Sequence, residues 1–282
     1  MYYEYIEKEL NQFLLTFENT ELKEMVDYSL TGGKCIRGFI VKHVMNTLAK
    51  KEINLWEPIV CVELIHAISL IIDDLPCMDD DIVRRNKPSF FVKYGERKTL
   101  LLSFYCINEA FQIILNCVNN NDMFEKNKFD YIFKILKEWS VNIGKDLIIG
   151  QMLDLEENIN KMLNMDLKKE DTTLITHKTS SLFSFSFLLG GMFSGCDIEI
   201  DDFKKMGYHF GILYQLMDDA KDFKSDRKEA NYILSYGVEK SKTLFEKQKK
   251  DMIESLKKYQ LDTFEIKELI DKIDTKFKEY IN

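Results

Sequence analysis

The chain has 282 residues, 45% of them hydrophobic and 30% charged, enough to bury a sizeable core. Three prolines and twelve glycines are too few for a many-stranded β architecture. A net charge of −8 and a pI near 5.3 argue against a nucleic-acid surface. The six cysteines (Cys35, Cys61, Cys77, Cys106, Cys117 and Cys196) form no CxxC pair, so they read as small buried hydrophobes in a reducing compartment.

The N-terminal "MYYEYIEKEL" is acidic and amphipathic and lacks the basic start of a signal peptide. Leu10, Phe13, Leu14 and Phe17 mark one helical face, and Leu22, Met25, Val26 and Leu30 continue it. Thr31-Gly32-Gly33 breaks the pattern, and a new run starts near Cys35. Lys34 and Arg37 stand beside this turn of free backbone N–H groups, either as a phosphate cradle or simply as a helix start.

Pro58 opens "PIVCVELIHAISLII", as a proline in a first helical turn can. His66, alone on that apolar helix, is ordinarily a core histidine. The run ends in "SLIIDDLPCMDDDIVRRNKP", residues 69–88. Asp73, Asp74, Asp79, Asp80 and Asp81 repel one another, a cost most readily accepted where a cation binds. Pro76 and Pro88 bracket the stretch and stop the helix, so helical geometry cannot place Asp79. The glycine and glutamate of an EF-hand are absent at the proper spacing. Arg84 and Arg85 follow, either as anion donors or as a solvated turn.

Further helices are predicted at about 98–118, 128–154, 171–195, 199–222 and 238–280. The oiliest window, Ser181–Gly195, falls short of a membrane span and reads as a buried helix, with Lys178-Thr179 before it. In "YQLMDDAKD", residues 214–222, Asp218, Asp219 and Asp222 form DDxxD. Asp218 and Asp222 share a helix face and could hold one hard cation such as Mg²⁺; the alternative is a solvated acidic face. No internal repeat or linker stands out, and the pattern predicts one all-α domain over residues 1–282.

In this order the motifs resemble the trans-isoprenyl diphosphate synthases, most closely the geranylgeranyl diphosphate synthases of bacterial and plant type. The resemblance runs from about residue 28 to 240. It is carried by "GGKCIR", "DDLPCMDDDIVRRNKP" with its DDx₄D spacing, "GQMLDLE", "HKTS" and "YQLMDDAKD". It implies a single-domain isoprenoid-synthase helical bundle around a central cavity, a homodimer, and roughly three Mg²⁺ ions per active site. Asp73, Asp74, Asp79 and, across the cavity, Asp218 would hold the Mg²⁺ that bridges an allylic diphosphate, with Asp219 and Asp222 in support. Arg84, Lys178, Thr179 and Gln215 would contact that diphosphate; Lys34, Arg37, His66 and Arg85 would bind that of isopentenyl diphosphate. Gln151 and Asp154 also fall on family positions. Asp73, Asp74, Lys178 and Asp218 would carry the catalysis.

The chemistry fits such a site. Ionising dimethylallyl, geranyl or farnesyl diphosphate creates a carbocation and a highly charged leaving group, which divalent cations and Lys/Arg donors stabilise. Apolar walls keep water from the cation. The double bond of isopentenyl diphosphate attacks, and loss of a proton completes the longer chain. In the family the fifth residue before the first aspartate motif often limits the growing tail, an aromatic giving the fifteen-carbon product. Here it is Ile68, followed by Ser69, with Ile65 and Cys61 deeper on the same face. An aliphatic wall points to geranylgeranyl diphosphate, with farnesyl diphosphate as the alternative.

Some positions depart from the family. Ile72 stands where a histidine is usual, and the GD pair after "YGE" is missing. The segment after the second motif lacks a GKxxGxD stretch and puts Glu229 where a phosphate-binding lysine is expected; Lys221, Lys224 or Lys228 could compensate. A non-catalytic regulatory subunit of a prenyl synthase is a further alternative, although such a subunit would typically have lost part of an aspartate motif and both are intact here. A class I terpene cyclase would carry an NSE-type motif and no GGKxxR. A helical calcium-binding or scaffold protein would leave the Lys/Arg series without purpose. The expected location is cytoplasmic, with no transmembrane segment and no nucleic-acid partner.

Overall fold

The computed structural model describes residues 2–155, 179–223 and 231–281. Its elements are α1 (Tyr2–Leu14), α2 (Thr20–Leu30), α3 (Ile36–Ala49), α4 (Glu57–Asp73), β1 (Val83–Arg84), β2 (Lys87–Pro88), α5 (Phe90–Tyr94) and α6 (Glu96–Asn120). A 3₁₀ turn (Asp122–Asn127) leads to α7 (Lys128–Val141), a π-turn (Asn142–Leu147) and α8 (Ile148–Leu155). After these come α9 (Ser181–Met192), α10 (Ile200–Asp222), α11 (Tyr232–Tyr236), α12 (Val238–Lys258) and α13 (Phe264–Ile281). Among the described residues the only sheet is the antiparallel β1–β2 hairpin, so the expected all-α class holds.

The helices divide into two compact units, Met1–Ile135 with Leu189–Cys196, and Leu136–Leu188 with Asp197–Asn282. In the first, α4 is the core. Apolar nearly all round, it buries Pro58 to Ile65 continuously and packs on α1, α2, α3 and α6. Its first turn begins at Glu57-Pro58, where a missing proline N–H costs nothing. The predicted face from Leu10 to Leu30 is two helices, because Asn19 caps α2 by accepting from the Leu22 amide at 2.9 Å. α6 is long and apolar enough to cross a membrane by length and composition, but its Thr99, Leu102, Ser103, Cys106 and Ala110 face is buried.

In the second unit α10 packs on α12 and α13. Gly207 makes close approach possible: a Cβ there would lie 2.2 Å from the Ser184 Cα of α9. The phenyl ring of Phe183 packs on those of Phe210 and Tyr214. The oily window is buried as predicted, Leu182 to Leu189 carrying almost no exposure. Two expected helices are interrupted. The 128–154 run contains the π-turn, where Asn142 donates back to the Glu138 carbonyl at 2.8 Å. The 238–280 run breaks at Gln260, which takes a left-handed conformation (φ 57°) with neither glycine nor proline to announce it. Of the six cysteines, all free, Cys77 is exposed and Cys196 half-buried; the other four are buried as expected.

Candidate functional site

α4 ends at Asp73, as the proline spacing predicts, and the aspartate-rich stretch curls back on it. The amide of Met78 donates to the Leu75 carbonyl at 2.8 Å, and that of Asp79 to the Asp73 carbonyl at 2.8 Å. Asp80 turns the chain away in a left-handed conformation (φ 54°), its amide on the Leu75 carbonyl at 3.1 Å. Backbone bonds thus bring Asp79 beside Asp73, a placement the sequence pattern could not supply.

The hairpin that follows delivers the two arginines in different directions. Val83 pairs with Pro88 and Arg84 with Lys87, leaving Arg85 and Asn86 as a two-residue turn with positive φ at both (53° and 60°), the type I′ geometry. Arg84 donates through Nε and Nη2 to Oδ1 of Asp74, the Nε bond being 2.8 Å, and through Nη2 to Asp81 Oδ2 at 3.2 Å. Asp74 is fully buried. Burial pushes its carboxyl above the usual value, and the hydrogen bonds and charge of Arg84 oppose this. Its Oδ2 is buried and meets no hydrogen-bond donor among the described residues.

Arg85 points to the other side. Its Nη1 donates to the carbonyls of Ser29, Leu30 and Thr31 at 3.1 Å each, closing the C-terminal end of α2. The guanidinium lies on the Gly32-Gly33 backbone, so a Cβ on Gly33 would sit 3.0 Å from Nη2. Gly32 itself needs its positive φ of 84°. Lys34 is exposed and Arg37 half-buried at the start of α3. His66 keeps a partly open edge, yet burial, then the charges of Arg37, Arg85 and Arg84, push its imidazole well below the ordinary value and hold it neutral. Ile68 and Ile65 are buried in the core, 4% and 2% exposed, and Cys61 is fully buried. Ser69, half-buried, donates to the His66 carbonyl at 2.9 Å.

The second unit carries a hydrogen-bond chain. Thr179 Oγ1 donates to Gln215 Oε1 at 2.5 Å, and Gln215 Nε2 donates to Asp219 Oδ1 at 2.8 Å. Asp219 Oδ2 accepts from the Tyr232 amide at 2.9 Å, and the Asp219 carbonyl accepts from Asn231 Nδ2 at 2.8 Å. Asn231 Oδ1 in turn caps α11 through the amides of Ile233 and Leu234. Asp219 is therefore engaged through both oxygens and buried, whereas Asp218 and Asp222 are only partly buried on α10. Lys221 lies 3.5 Å from Asp222. Lys178, Asp154, Lys224, Lys228 and Glu229 lie outside the described side chains.

The first unit thus gathers Lys34, Arg37, His66, Asp73, Asp74, Asp79, Arg84 and Arg85 about the end of α4 and the start of α3, and the second aligns Thr179, Gln215, Asp218, Asp219 and Asp222 along α10 and its neighbour. Two participants escaped the sequence reading. Glu63, buried on α4, is an acid in the apolar middle of the helix one turn before His66, which is a visible signal. Asn231 carries no signal in the sequence pattern, because its capping role depends on where the chain folds.

Among the described residues no three His, Cys, Asp or Glu side chains converge closely enough to cage a metal. Mg²⁺ ordinarily takes one or two carboxylates and completes its shell with water and substrate phosphates. The orphan Asp74 Oδ2 and the oxygen-only donor set fit that manner of binding.

Comparison with known proteins gives one consistent picture. The polyprenyl synthetase family model matches residues 19–245. A farnesyl diphosphate synthase of Buchnera aphidicola subsp. Schizaphis graminum is 34% identical, over 86% of this chain and 84% of its own. Geranylgeranyl pyrophosphate synthase 4 of Arabidopsis thaliana is 30% identical, over 95% of this chain and 73% of its own. The crystal structure of a geranyltranstransferase from Thermotoga maritima superposes with a TM-score of 0.75 at 27% identity, covering 98% of this chain and 97% of that one.

Proposed function

Because the chain belongs to the polyprenyl synthetase family, and so to the trans-prenyltransferases, we propose that it is a Mg²⁺-dependent synthase that elongates allylic diphosphates with isopentenyl diphosphate to geranylgeranyl diphosphate. The observation that carries this reading is the end of α4, where Asp79 is tied back to Asp73 while Arg84 holds Asp74 with one oxygen unoccupied.

In this reading Asp73, Asp74 and Asp79 hold Mg²⁺ at the first motif, and Asp218, with Asp222, at the second. Held there, Mg²⁺ would supply Lewis-acid stabilisation of the charge that departs with the allylic diphosphate. Arg84, Lys178, Thr179 and Gln215 orient that diphosphate. Lys34, Arg37, neutral His66 and Arg85 hold the diphosphate of isopentenyl diphosphate, so that its double bond meets the allylic carbon. Fixed donors of this kind need no reorganisation as charge develops. Asp219 supports this second cluster, and through its two hydrogen-bonded oxygens it also orients Gln215 and ties down the chain after the motif.

Ile68 supports the twenty-carbon product because an aliphatic side chain there leaves more room than an aromatic one. Similarity to both farnesyl and geranylgeranyl synthases keeps the fifteen-carbon product as the second reading. A single polyprenyl synthase domain, a homodimer and a cytoplasmic location belong to the same proposal.

The test is incubation of purified protein with Mg²⁺, isopentenyl diphosphate and, separately, dimethylallyl, geranyl and farnesyl diphosphates, with products dephosphorylated and sized by mass spectrometry. Geranylgeraniol is the expected main product. Farnesol alone would keep the enzyme class and overturn the length argument, and no elongation from any starter would overturn the synthase reading.

A further inference from the structure

α3 begins without a cap of its own. Cys35 precedes it in a left-handed conformation (φ 52°) and makes no side-chain cap bond to the first turn. The N–H of Gly38, one of the orphan donors at that end, is met from a different helix: Glu63 Oε1 on α4 accepts it at 2.7 Å. The backbones approach closely here: a Cβ at Gly38 would lie 3.1 Å from Glu63 Cγ and 2.6 Å from Ile6 Cδ1, so both side chains would have to shift. Glu63 is only 4% exposed and is not among the residues assigned to substrate or metal.

A buried carboxylate is expensive unless charge and hydrogen bonds compensate it. Here the compensation is specific. The start of α3 offers the positive end of a helix dipole. Burial pushes the Glu63 carboxyl above its usual value, and the Gly38 amide, then the charges of Arg37 and Arg85, oppose this and favour the ionised form. Arg37 stands on α3 and Arg85 on the hairpin tip whose guanidinium covers Gly33, so the two cations whose charges act on this carboxyl come from separate elements.

We propose that Glu63 is a positioning residue for the isopentenyl diphosphate half of the reaction: its carboxylate fixes the start of α3, and with it Lys34 and Arg37, against Arg85. This rests on the reading of Lys34, Arg37 and Arg85 as diphosphate donors. Two guanidinium groups gathered for one dianion repel each other before it arrives. An ionised Glu63, fixed at the start of α3 by the Gly38 amide, would offset that repulsion in the free protein, so that less binding energy is lost to ordering when the diphosphate enters.

Two substitutions separate charge from capping. Glu63→Gln keeps the volume and an oxygen for the Gly38 amide but removes the charge; Glu63→Ala removes both. Wild type is titrated with isopentenyl diphosphate by calorimetry and assayed with each substrate varied in turn. In Glu63→Gln the dissociation constant and KM for isopentenyl diphosphate are expected to rise about tenfold, with the allylic KM changed less than about twofold and the melting temperature nearly kept. Glu63→Ala adds a loss of melting temperature. Unchanged isopentenyl diphosphate binding in Glu63→Gln, or an equal rise in both KM values, overturns the inference and leaves the synthase reading standing. Wild type that neither binds isopentenyl diphosphate nor elongates a starter overturns both.

Discussion

Asp79 donates its backbone amide to the carbonyl of Asp73 at 2.8 Å, which returns the chain to the end of α4 just after Pro76 has turned it away. Two aspartates separated by a proline turn are thereby tied together through the main chain, independently of any ion.

The Arg84–Asp74 pair is the energetic centre of that loop. Asp74 is fully buried, so removing its guanidinium leaves a charge without compensation. Arg84→Ala is expected to destabilise the fold by about 3 kcal/mol, and Asp74→Asn combined with it to recover part of the loss. A double-mutant cycle by urea denaturation measures the coupling; strict additivity would show that the contact contributes nothing.

Asp219 and Asp222 belong to one motif but should respond differently to substitution. Asp219→Ala removes acceptors from Gln215 and from the Tyr232 amide, and should cost about 1–3 kcal/mol with faster hydrogen exchange at Tyr232. Asp222→Asn should leave stability nearly unchanged and raise the Mg²⁺ concentration needed for half-maximal turnover. Equal stability losses in the two variants would contradict this division.

Gly207 tests the packing of α9 on α10. Its missing Cβ would meet the Ser184 backbone at 2.2 Å, which no rotamer change relieves. Gly207→Ala is expected to cost about 3 kcal/mol or more. Gly144→Ala, whose nearest neighbour would be the Trp139 carbonyl at 3.9 Å, should stay within about 0.5 kcal/mol. Denaturant midpoints compare them directly.

His66 gives a pH signature. Burial and then the charges of Arg37, Arg85 and Arg84 push its imidazole down, so the folded protein keeps it neutral while the unfolded chain is protonated near its ordinary value. The unfolded state then binds more protons, and stability from this group is lost as pH falls below about 6.5, by at most about 1.4 kcal/mol per pH unit. Between about pH 7.5 and 5.5, wild type should lose more melting temperature than His66→Gln. Parallel losses would mean that the imidazole titrates normally.

Ile68 is 4% exposed on the core helix that ends at the first motif. If it walls the growing tail, Ile68→Phe should raise the share of fifteen-carbon product at the expense of the twenty-carbon one, read by mass spectrometry after dephosphorylation. A lower rate with an unchanged product ratio would place the length limit elsewhere.

The sequence by itself determined the helical class, the order of the motifs and the chemistry their side chains can perform. It did so because helical periodicity, proline stops and DDxxD spacing are local properties. α10 and the buried helix at Ser181–Met192 were legible for that reason, and so was the stop after Asp73. The interruptions at Asn142 and Gln260 were not, because no residue type announces a π-turn or a left-handed glutamine. Only the tertiary structure decided that Asp79 returns to Asp73, that Arg84 and Arg85 diverge from one turn, that Asp219 is occupied, and that Glu63 caps a helix twenty-five positions away. Each of these is a hydrogen bond between groups distant along the chain or across a turn. Its existence depends on where packing brings the backbone, which no local pattern encodes.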